Sequence, residues 1–402
     1  MKSNLAVLKY GGSSVSNFDK IKDIAAYLKT RVNEQEKLVV VVSAMGDTTA
    51  ILLNNITELI KNPEAEHVAM LLSTGEQQSV SYLAMALADL GIKAKPLTGA
   101  QATIATTEHT MKSRIASIDG DYLKGLLDDN DVLIVAGFQG MNEHRQITTL
   151  GRGGSDTTAT ALAAVLGCHC EIYTDVAGIF SIDPRIYPEA KKIDMISYEE
   201  MMEMSFLGAN IIETRSIKIA INNSVPLYIA KALSKEKGTW IVSEKKLLEK
   251  NIATGIAVDD EVIQVDINHP GYSAELVTDV FCLLEENDIS IDLISQIEDE
   301  GKNHYNFTTK SEDKNRLTKC AIALQGKYPD IQISLNEEYV KVSIIVAGMM
   351  EAPGVISKIY KTIINNHMRI YQISTSGISI SCLVDKADGE TIARLLSKEF
   401  DL

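Results

Sequence analysis

The stretch LAVLKYGGSSVSNFDKIKDIAAYLKTRV, residues 5–32, places an apolar run, a glycine pair and an amphipathic segment in succession. Residues 5–10 are typical of a buried strand, and residues 19–32 have the apolar period of a helix that Asn17 would cap. Lys9 precedes Gly11 and Gly12, whereas the lysine of a Walker phosphate loop follows its glycines. By itself, this strand–turn–helix unit fits either a structural turn or a phosphate loop of another design.

The same alternation continues to about residue 245. Residues 37–44 and 131–139 are β-branched apolar runs that predict buried strands, and amphipathic helical patterns lie between them. Strands that alternate with helices favour the α/β class. We therefore predict a mostly parallel sheet with helices on both faces.

The pattern changes after residue 245, where two shorter blocks resemble each other. Residues 270–295 and 353–374 each contain Pro-Gly, an amphipathic helix, a polar turn and a strand that ends in Ile-Ser. Because these features recur in the same order, a duplicated small α+β unit is favoured over chance similarity. The first block is longer, so its helix or entry loop is expected to be about one turn longer.

Composition restricts the class of protein. A length of 402 residues predicts two or three domains, and a net charge of -15 argues against nucleic acid as a partner. The five cysteines form no C-x-x-C pair, which indicates reduced thiols and a cytoplasmic location. No apolar run is long enough to span a bilayer, so no membrane partner is expected. No pattern of side chains predicts a metal held by the protein itself.

Three further segments carry chemistry. Arg152 lies among glycines in "GRGGSD", where a planar guanidinium suits bidentate binding of a carboxylate or phosphate, and Asp156 follows it as a helix cap or a functional acid. Asp175 and Asp183 lie in the turn-rich segment 173–185, and the segment "LSTGEQQS" (72–79), which contains Glu76, interrupts a helical pattern. Glu76 is either a solvated helix residue or an anionic site for an ammonium group. Glycine-rich turns after several strands predict a phosphorylated ligand such as a nucleotide, and they do not identify the acceptor.

In this order, the segments resemble the aspartokinase family of amino acid kinases. The matching segments are "KYGGSSV" (9–15), "VVSAMGDTT" (41–49), "LSTGEQQS" (72–79), "VAGFQG" (135–140), "TTLGRGGSDTTA" (148–159) and "YTDVAGIFSIDPR" (173–185). The duplicated blocks, with "IDLISQ" (291–296) and "ISTSGISIS" (373–381), resemble that family's tandem ACT regulatory domains, which have a ferredoxin-type α+β fold. The resemblance implies a catalytic domain over 1–245 and ACT domains over 258–335 and 338–402.

The resemblance also implies a reaction and its partners. ATP, with Mg²⁺, would phosphorylate the β-carboxylate of L-aspartate to 4-phospho-L-aspartate, the first step towards lysine, threonine and methionine. Lysine, threonine or both would act as effectors, and the chain would form a homodimer or homotetramer through ACT pairing.

Carried over position by position, the resemblance assigns site residues. Lys9 and Asp156 are the catalytic residues, with Asp156 orienting Lys9. The residues expected to bind ATP are Lys9, Tyr10, Gly11, Gly12, Ser13, Thr174, Asp175, Phe180, Asp183, Arg185 and Asn210. Those expected to bind aspartate are Ser43, Thr49, Glu76, Arg152, Gly153 and Ser155, with Glu76 on the ammonium group and Arg152 on the α-carboxylate. Asp292 and Gln296 are expected to bind the effector.

Three positions depart from the family pattern. Asn210 stands where relatives carry a lysine that contacts the nucleotide, Ile297 replaces an effector-binding asparagine, and Gly377 replaces a glutamate. The identity of the effector therefore stays open. Two other functions stay open as well: a kinase of the same fold that acts on another carboxylate, and a catalytically weak amino-acid sensor.

Overall fold

The computed structural model describes residues 4–209, 211–244, 253–271, 273–299, 302–346 and 354–402. The chain divides into two compact units. The first unit comprises Met1–Phe180, Lys192–Phe206 and Asn210–Lys250, and the second comprises Ser181–Lys191, Leu207–Ala209 and Asn251–Leu402.

An α/β sandwich forms the first unit. Its helices are α1 (Phe18–Asn33), α2 (Thr48–Leu59), α3 (Ala65–Asp89), α4 (Gly120–Asp129), α5 (Gly154–Leu166), α6 (Tyr198–Phe206) and α7 (Thr214–Asn223). Its strands are β1 (Leu5–Tyr10), β2 (Lys37–Val42), β3 (Ala94–Leu97), β4 (Ala105–Thr106), β5 (Ile115–Ser117), β6 (Val132–Ala136), β7 (Gln139–Met141), β8 (Ile147–Thr149), β9 (Cys170–Thr174), β10 (Met195–Ser197), β11 (Leu227–Lys231) and β12 (Thr239–Val242).

The main sheet has eight strands in the order β10-β12-β11-β9-β1-β2-β6-β3. From β11 to β3 every neighbouring pair is parallel, and β12 runs antiparallel to β11. The predicted mostly parallel sheet is confirmed. Its carboxyl-terminal edge carries the glycine-containing turns that follow β1 and β9, because the strands of a parallel sheet all end on the same side. The "GRGGSD" loop follows β8, which belongs to another sheet.

Side-chain alternation along β1 separates the two faces of this sheet. Leu8 and Tyr10 are fully buried in one core with α1 and α3. Lys9 points to the other face, where it pairs with Asp156 of α5. The predicted cap of α1 is confirmed, since the Asn17 side chain accepts a hydrogen bond of 2.9 Å from the backbone N–H of Lys20.

Two local features lie beside the main sheet. Strands β7 and β8 form an antiparallel hairpin in a small sheet of order β5-β4-β7-β8. The expected interruption of the helical pattern is absent, since α3 runs without a break through Gly75. A Cβ atom on Gly75 would lie 2.8 Å from Cβ of Ala44, so the glycine allows close packing of the helix and does not break it.

Two small α+β layers form the second unit. The strands are β13 (Ala253–Asp259), β14 (Val262–Pro270), β15 (Ile294–Asp299), β16 (Lys302–Lys310), β17 (Gln332–Asn336), β18 (Tyr339–Val346), β19 (Ile370–Thr375) and β20 (Ser379–Asp385). The helices are α8 (Ala274–Glu286), α9 (Lys314–Lys327), α10 (Val355–Asn365) and α11 (Gly389–Glu399). The two sheets have the orders β15-β16-β14-β17 and β13-β18-β20-β19, and each is covered by its own helix pair.

Strand pairing modifies the expected consecutive arrangement of the two layers. β13 precedes the first layer in the chain, yet it pairs with β18 of the second. In the order of the chain, the first layer is therefore inserted between two strands of the second sheet. A sequence pattern does not reveal this insertion, because it can indicate a strand but not the partner of that strand. The extra length of the first block is divided between its helix, with 13 residues in α8 and 11 in α10, and the segment between Pro-Gly and the helix.

In the described part of the chain, no helix is long and apolar enough to cross a membrane. All five cysteines are free thiols, and four of them are buried.

Candidate active site

An ion pair lies at the carboxyl-terminal edge of the main sheet. The Lys9 ammonium is 2.7 Å from Oδ1 of Asp156, and each side chain is only 12% exposed. Asp156 lies in the first turn of α5, a helix that packs on β1. The structure thus brings together the two residues expected to be catalytic. Asp156 does not act as the helix cap, because Gly153 occupies that position.

Two glycines shape the cradle beside Lys9. A Cβ atom on Gly11 would lie 3.4 Å from Nζ of Lys9, and one on Gly12 would lie 2.8 Å from the carbonyl oxygen of Ala44. A side chain at position 12 would collide with this backbone carbonyl, whereas one at position 11 would contact the tip of Lys9. The short 3₁₀ helix Gly12–Val15 follows, and Ser13 lies exposed at its start. The cradle can receive a ligand that approaches the backbone closely.

Two serines close the opposite side of this edge. The Ser43 hydroxyl, just after β2, lies 2.9 Å from the Ser155 hydroxyl of α5. Gly137 gives Ser155 its room, since a Cβ atom there would lie 2.6 Å from Oγ of Ser155. Thr49 lies half-buried in the first turn of α2.

Glu76 is a buried acid on α3. Its side chain is 3% exposed, and its Oε1 accepts a hydrogen bond of 3.2 Å from the backbone N–H of Ala44. Oε2 is buried without a hydrogen-bond partner among the described residues. Burial raises the pKa of this carboxyl to about 7, against the opposing effect of its backbone hydrogen bonds. An orphaned buried carboxylate oxygen is a ready partner for a cationic group.

The glycine loop before α5 presents Arg152 to solvent. Gly153 has a φ of +63°, and a Cβ atom there would lie 2.5 Å from Cβ of Glu213. This left-handed conformation and close contact explain the glycine. Arg152 is exposed and forms no hydrogen bond or ion pair with the described residues. Its guanidinium is therefore available for an anion.

The residues expected to bind the nucleotide fall into separate groups. Thr174 ends β9, and its hydroxyl donates a hydrogen bond of 2.9 Å to Asp175. Phe180 lies half-buried further along the same segment. Tyr10 ends β1 at this edge, but its side chain lies on the α1 face, where it is fully buried and stacks on Tyr173 with ring centroids 5.0 Å apart.

The remaining predicted nucleotide residues are Asp183, Arg185 and Asn210. Asp183 and Arg185 belong to the second unit, where the guanidinium of Arg185 pairs with the Asp183 carboxylate. This pairing lowers the pKa of Asp183. Asn210 lies outside the described residues.

Of the two predicted effector residues, one is already paired. The Asp292 carboxylate forms an ion pair with Lys341, which is 3% exposed and also lies 3.8 Å from Oδ2 of Asp259. Gln296 is exposed on β15, which is an edge strand.

Sequence reasoning missed Arg215, at the start of α7. Its guanidinium donates hydrogen bonds to the carbonyl oxygens of Leu150 and Ser113, the latter at 2.8 Å. Arg215 is half-buried, and this burial lowers the pKa of its guanidinium. It therefore holds the backbone directly before the loop that carries Arg152. No local signal marks this role, because the contacts span 65 and 102 residues of sequence.

A buried polar network on the α1 face was also missed. Arg31 binds Glu171 with both terminal nitrogens, at 3.0 and 2.9 Å, and His169 and Tyr173 contact the same carboxylate. Burial raises the pKa of Glu171, but these hydrogen bonds and the positive charge of Arg31 outweigh it and hold the pKa at about 2. The network ties α1 to β9, the two elements that flank the glycine cradle.

Comparison with known proteins agrees with this geometry. The profile of the amino acid kinase family matches residues 4–231, and that of the ACT domain matches residues 342–400. The chain therefore belongs to the amino acid kinase family. The aspartokinase of Geobacillus stearothermophilus is 38% identical over 384 residues, which cover 95% of this chain and 93% of that protein. Within the family, this chain is thus a member of the aspartokinases.

Solved structures share the fold. Aspartokinase III of E. coli in complex with aspartate and ADP has a TM-score of 0.82 and covers 99% of this chain and 100% of its own, at 22% identity. The same enzyme in complex with lysine and aspartate has a TM-score of 0.76 with equal coverage and identity.

Proposed function

We propose that this chain transfers the γ-phosphoryl group of ATP to the β-carboxylate of L-aspartate. The observation that carries the proposal is the buried Glu76 carboxylate, whose Oε2 lacks a partner in the described structure. An α-amino acid supplies the ammonium group that such an oxygen requires. The homologous aspartokinases supply the identity of that amino acid.

Charge complementarity orients the substrate. Glu76 binds the ammonium group and Arg152 binds the α-carboxylate, with Ser43, Thr49, Gly153 and Ser155 around them. The β-carboxylate then remains free to attack. Because this nucleophile is already anionic, no strong general base is required, and alignment and charge neutralisation carry the reaction.

The glycine cradle fits a phosphate chain. Its backbone N–H groups can approach phosphate oxygens because Gly11 and Gly12 carry no side chains, and Lys9 supplies a positive charge beside them. Asp156 holds the Lys9 ammonium in place. Thr174, Asp175 and Phe180 extend the nucleotide site, and Asp183, Arg185 and Asn210 stay predicted contacts. Mg²⁺ bound to the phosphates would neutralise further negative charge.

Trapping of the acyl phosphate tests the proposal. With ATP, Mg²⁺, L-aspartate and hydroxylamine, we expect aspartyl hydroxamate. Glu76→Gln, which keeps the size of the side chain, should form much less product at ordinary aspartate concentrations. Hydroxamate from another acid but not from aspartate would indicate the alternative acceptor, and no product from any acid would indicate a sensor.

We also propose that the second unit regulates the enzyme and mediates assembly. The lysine complex of E. coli aspartokinase III makes lysine the first effector to test. Strand β15 lies at the edge of its sheet, and its residues Ile294 and Ile297 are 53% and 58% exposed. An edge strand with exposed apolar side chains can pair with the same strand of a second copy. The expected product is a homodimer or homotetramer. Sedimentation of the wild type and of Ile297→Lys tests the pairing, and inhibition by lysine and threonine, separately and together, tests the effector.

The free thiols fit a cytoplasmic protein.

A further inference from the structure

Lys231 lies at the carboxyl-terminal end of β11, on the nucleotide side of the main sheet. Strand register places it opposite Thr174 of β9, and the N–H of Ala232 continues the ladder with a hydrogen bond of 3.0 Å to the carbonyl oxygen of Thr174. No motif drew attention to this lysine. Its position follows from strand pairing alone.

Register also shows which face Lys231 occupies. Val41, Lys9, Ile172 and Ile229 form one row across β2, β1, β9 and β11. Lys9 of this row pairs with α5, so the row lies on the α5 face. Side chains of a strand alternate between faces, so the residues two positions further on lie on that face as well. These residues are Ser43, Gly11, Thr174 and Lys231.

Backbone hydrogen bonds extend the parallel ladder to this second row. The N–H of Ser43 donates to the carbonyl oxygen of Tyr10 at 3.1 Å, and the N–H of Gly11 donates to that of Tyr173 at 3.4 Å. Neighbouring strands lie ~4.8 Å apart, so Lys231 lies about two strand spacings, ~10 Å, from Gly11. That separation is on the length scale of the phosphate chain and ribose of a nucleotide.

The charge balance favours a ligand for Lys231. Lys9 is already paired with Asp156, and the ammonium of Lys20 donates to the carbonyl oxygen of Ser13 and the hydroxyl of Ser16. Lys231 is exposed, and its ammonium has no hydrogen bond or ion pair with any residue that the structure describes. It is thus a cation still available beside Thr174, where a polyanionic nucleotide needs one.

We propose that Lys231 binds the α- or β-phosphate of the nucleotide. Lys9 and the glycine cradle serve the γ-phosphate end, and Lys231 serves the end nearer the ribose. This assignment rests on the proposed kinase function, because it takes ATP as the ligand of this edge. The alternative is that Lys231 is a solvated lysine attracted weakly by the neighbouring Asp175.

Calorimetric titration of the full-length protein with ADP, AMP and adenosine tests the proposal. We expect Lys231→Gln to weaken ADP binding about tenfold and to leave adenosine binding unchanged, because only the phosphates meet the ammonium. Lys231→Arg should keep ADP binding within about threefold of the wild type, since it retains the charge. Lys235→Gln, an exposed lysine of the same loop, is the matched control and should bind ADP like the wild type.

Kinetics provide a second readout. Lys231→Gln should raise KM for ATP about tenfold and leave KM for aspartate unchanged, with an unchanged thermal melting temperature as the test of folding. ADP binding within twofold of the wild type would overturn the proposal, and so would an equal loss in Lys235→Gln or in adenosine binding. If the wild type itself binds no ADP, the proposed kinase function fails first, so the two failures are distinguishable.

Discussion

The Lys9 ammonium and the Asp156 carboxylate meet at 2.7 Å across the interface between β1 and α5. Neither residue is near the other in sequence, and both side chains are mostly removed from water. The pair fixes a positive charge at the edge where the phosphate cradle opens.

Loss of this charge should stop catalysis. We expect Lys9→Ala to lower kcat about 10³-fold, because a positioned cation that stabilises phosphoryl transfer typically contributes that much. Since Asp156 would lose its partner, stability should also fall by about 3 kcal/mol. The double variant Lys9→Met/Asp156→Asn should regain stability without regaining activity. A folded Lys9→Ala enzyme with kcat within tenfold of the wild type would refute the role of Lys9.

The pKa of Glu76 should set the pH dependence of aspartate binding. This carboxyl has a pKa of about 7 in the free protein, and only its ionised form attracts the substrate ammonium. We therefore expect kcat/KM for aspartate to fall about tenfold per pH unit below pH 7. Glu76→Gln should be much less active and lack this dependence. A wild-type profile that is flat between pH 5.5 and 7.5 would contradict the assignment.

The same group should make the free protein less stable at high pH. A carboxyl whose folded pKa is raised contributes stability below its unfolded pKa, and that contribution is lost as pH rises through about 7. The difference from the ordinary value of 4.5 corresponds to roughly 3 kcal/mol. Denaturant unfolding without aspartate should therefore show Glu76→Gln to be more stable than the wild type at pH 8 but not at pH 5. Equal differences at both pH values would mean that Glu76 does not titrate in this range.

Arg215 should act on the aspartate site through the backbone that it holds. We expect Arg215→Met to raise KM for aspartate about tenfold and to change KM for ATP much less, because the guanidinium supports the segment before Arg152. Arg215→Lys should be intermediate, since one ammonium cannot reproduce two divergent hydrogen bonds as well. Arg114→Met, at an exposed arginine beside Ser113, is the control and should change neither constant. A parallel loss in both KM values and in melting temperature would indicate a structural role only.

The Arg31–Glu171 pair should be a stability determinant. Arg31→Met leaves a buried carboxylate without its bidentate partner, so we expect the free energy of unfolding to fall by about 3–5 kcal/mol. Lys22→Met, an exposed substitution on the same helix, should have little effect.

Lowering the pH should remove the stabilising contribution of the same pair. Glu171 has a folded pKa of about 2, below its ordinary value of 4.5, so its contribution is present above pH 4.5 and is lost as pH falls towards 2. Unfolding of the wild type and Arg31→Met should therefore converge between those values. A stability gap that stays constant down to pH 2.5 would contradict this account.

Local signals in the sequence were sufficient to predict much of the fold. The apolar runs of β1, β2 and β6 and the cap at Asn17 have causes within a few residues, and the structure has each of them. The glycines at 12 and 153 also lie where a side chain would collide with neighbouring atoms. Segment order led to the aspartokinase resemblance, which the comparisons confirm.

Other features depend on partners that are distant in the chain. The pairing of β13 with β18 is decided by the tertiary fold. The family resemblance placed Tyr10 among the nucleotide-binding residues, and alternation along β1 directs its side chain to the opposite face from Lys9.

The sequence by itself determined the α/β class, the duplicated C-terminal layers and the residues from which a kinase site is built, because these depend on periodicity and on motifs that are contiguous in the chain. Only the tertiary structure decided which side chains meet. It paired Lys9 with Asp156, left one oxygen of Glu76 without a partner, joined Arg215 to Leu150 and aligned Lys231 with Thr174. Hydrogen bonds and ion pairs act over a few ångströms of space, and strand register together with the packing of helices on the sheet brings distant residues within that range.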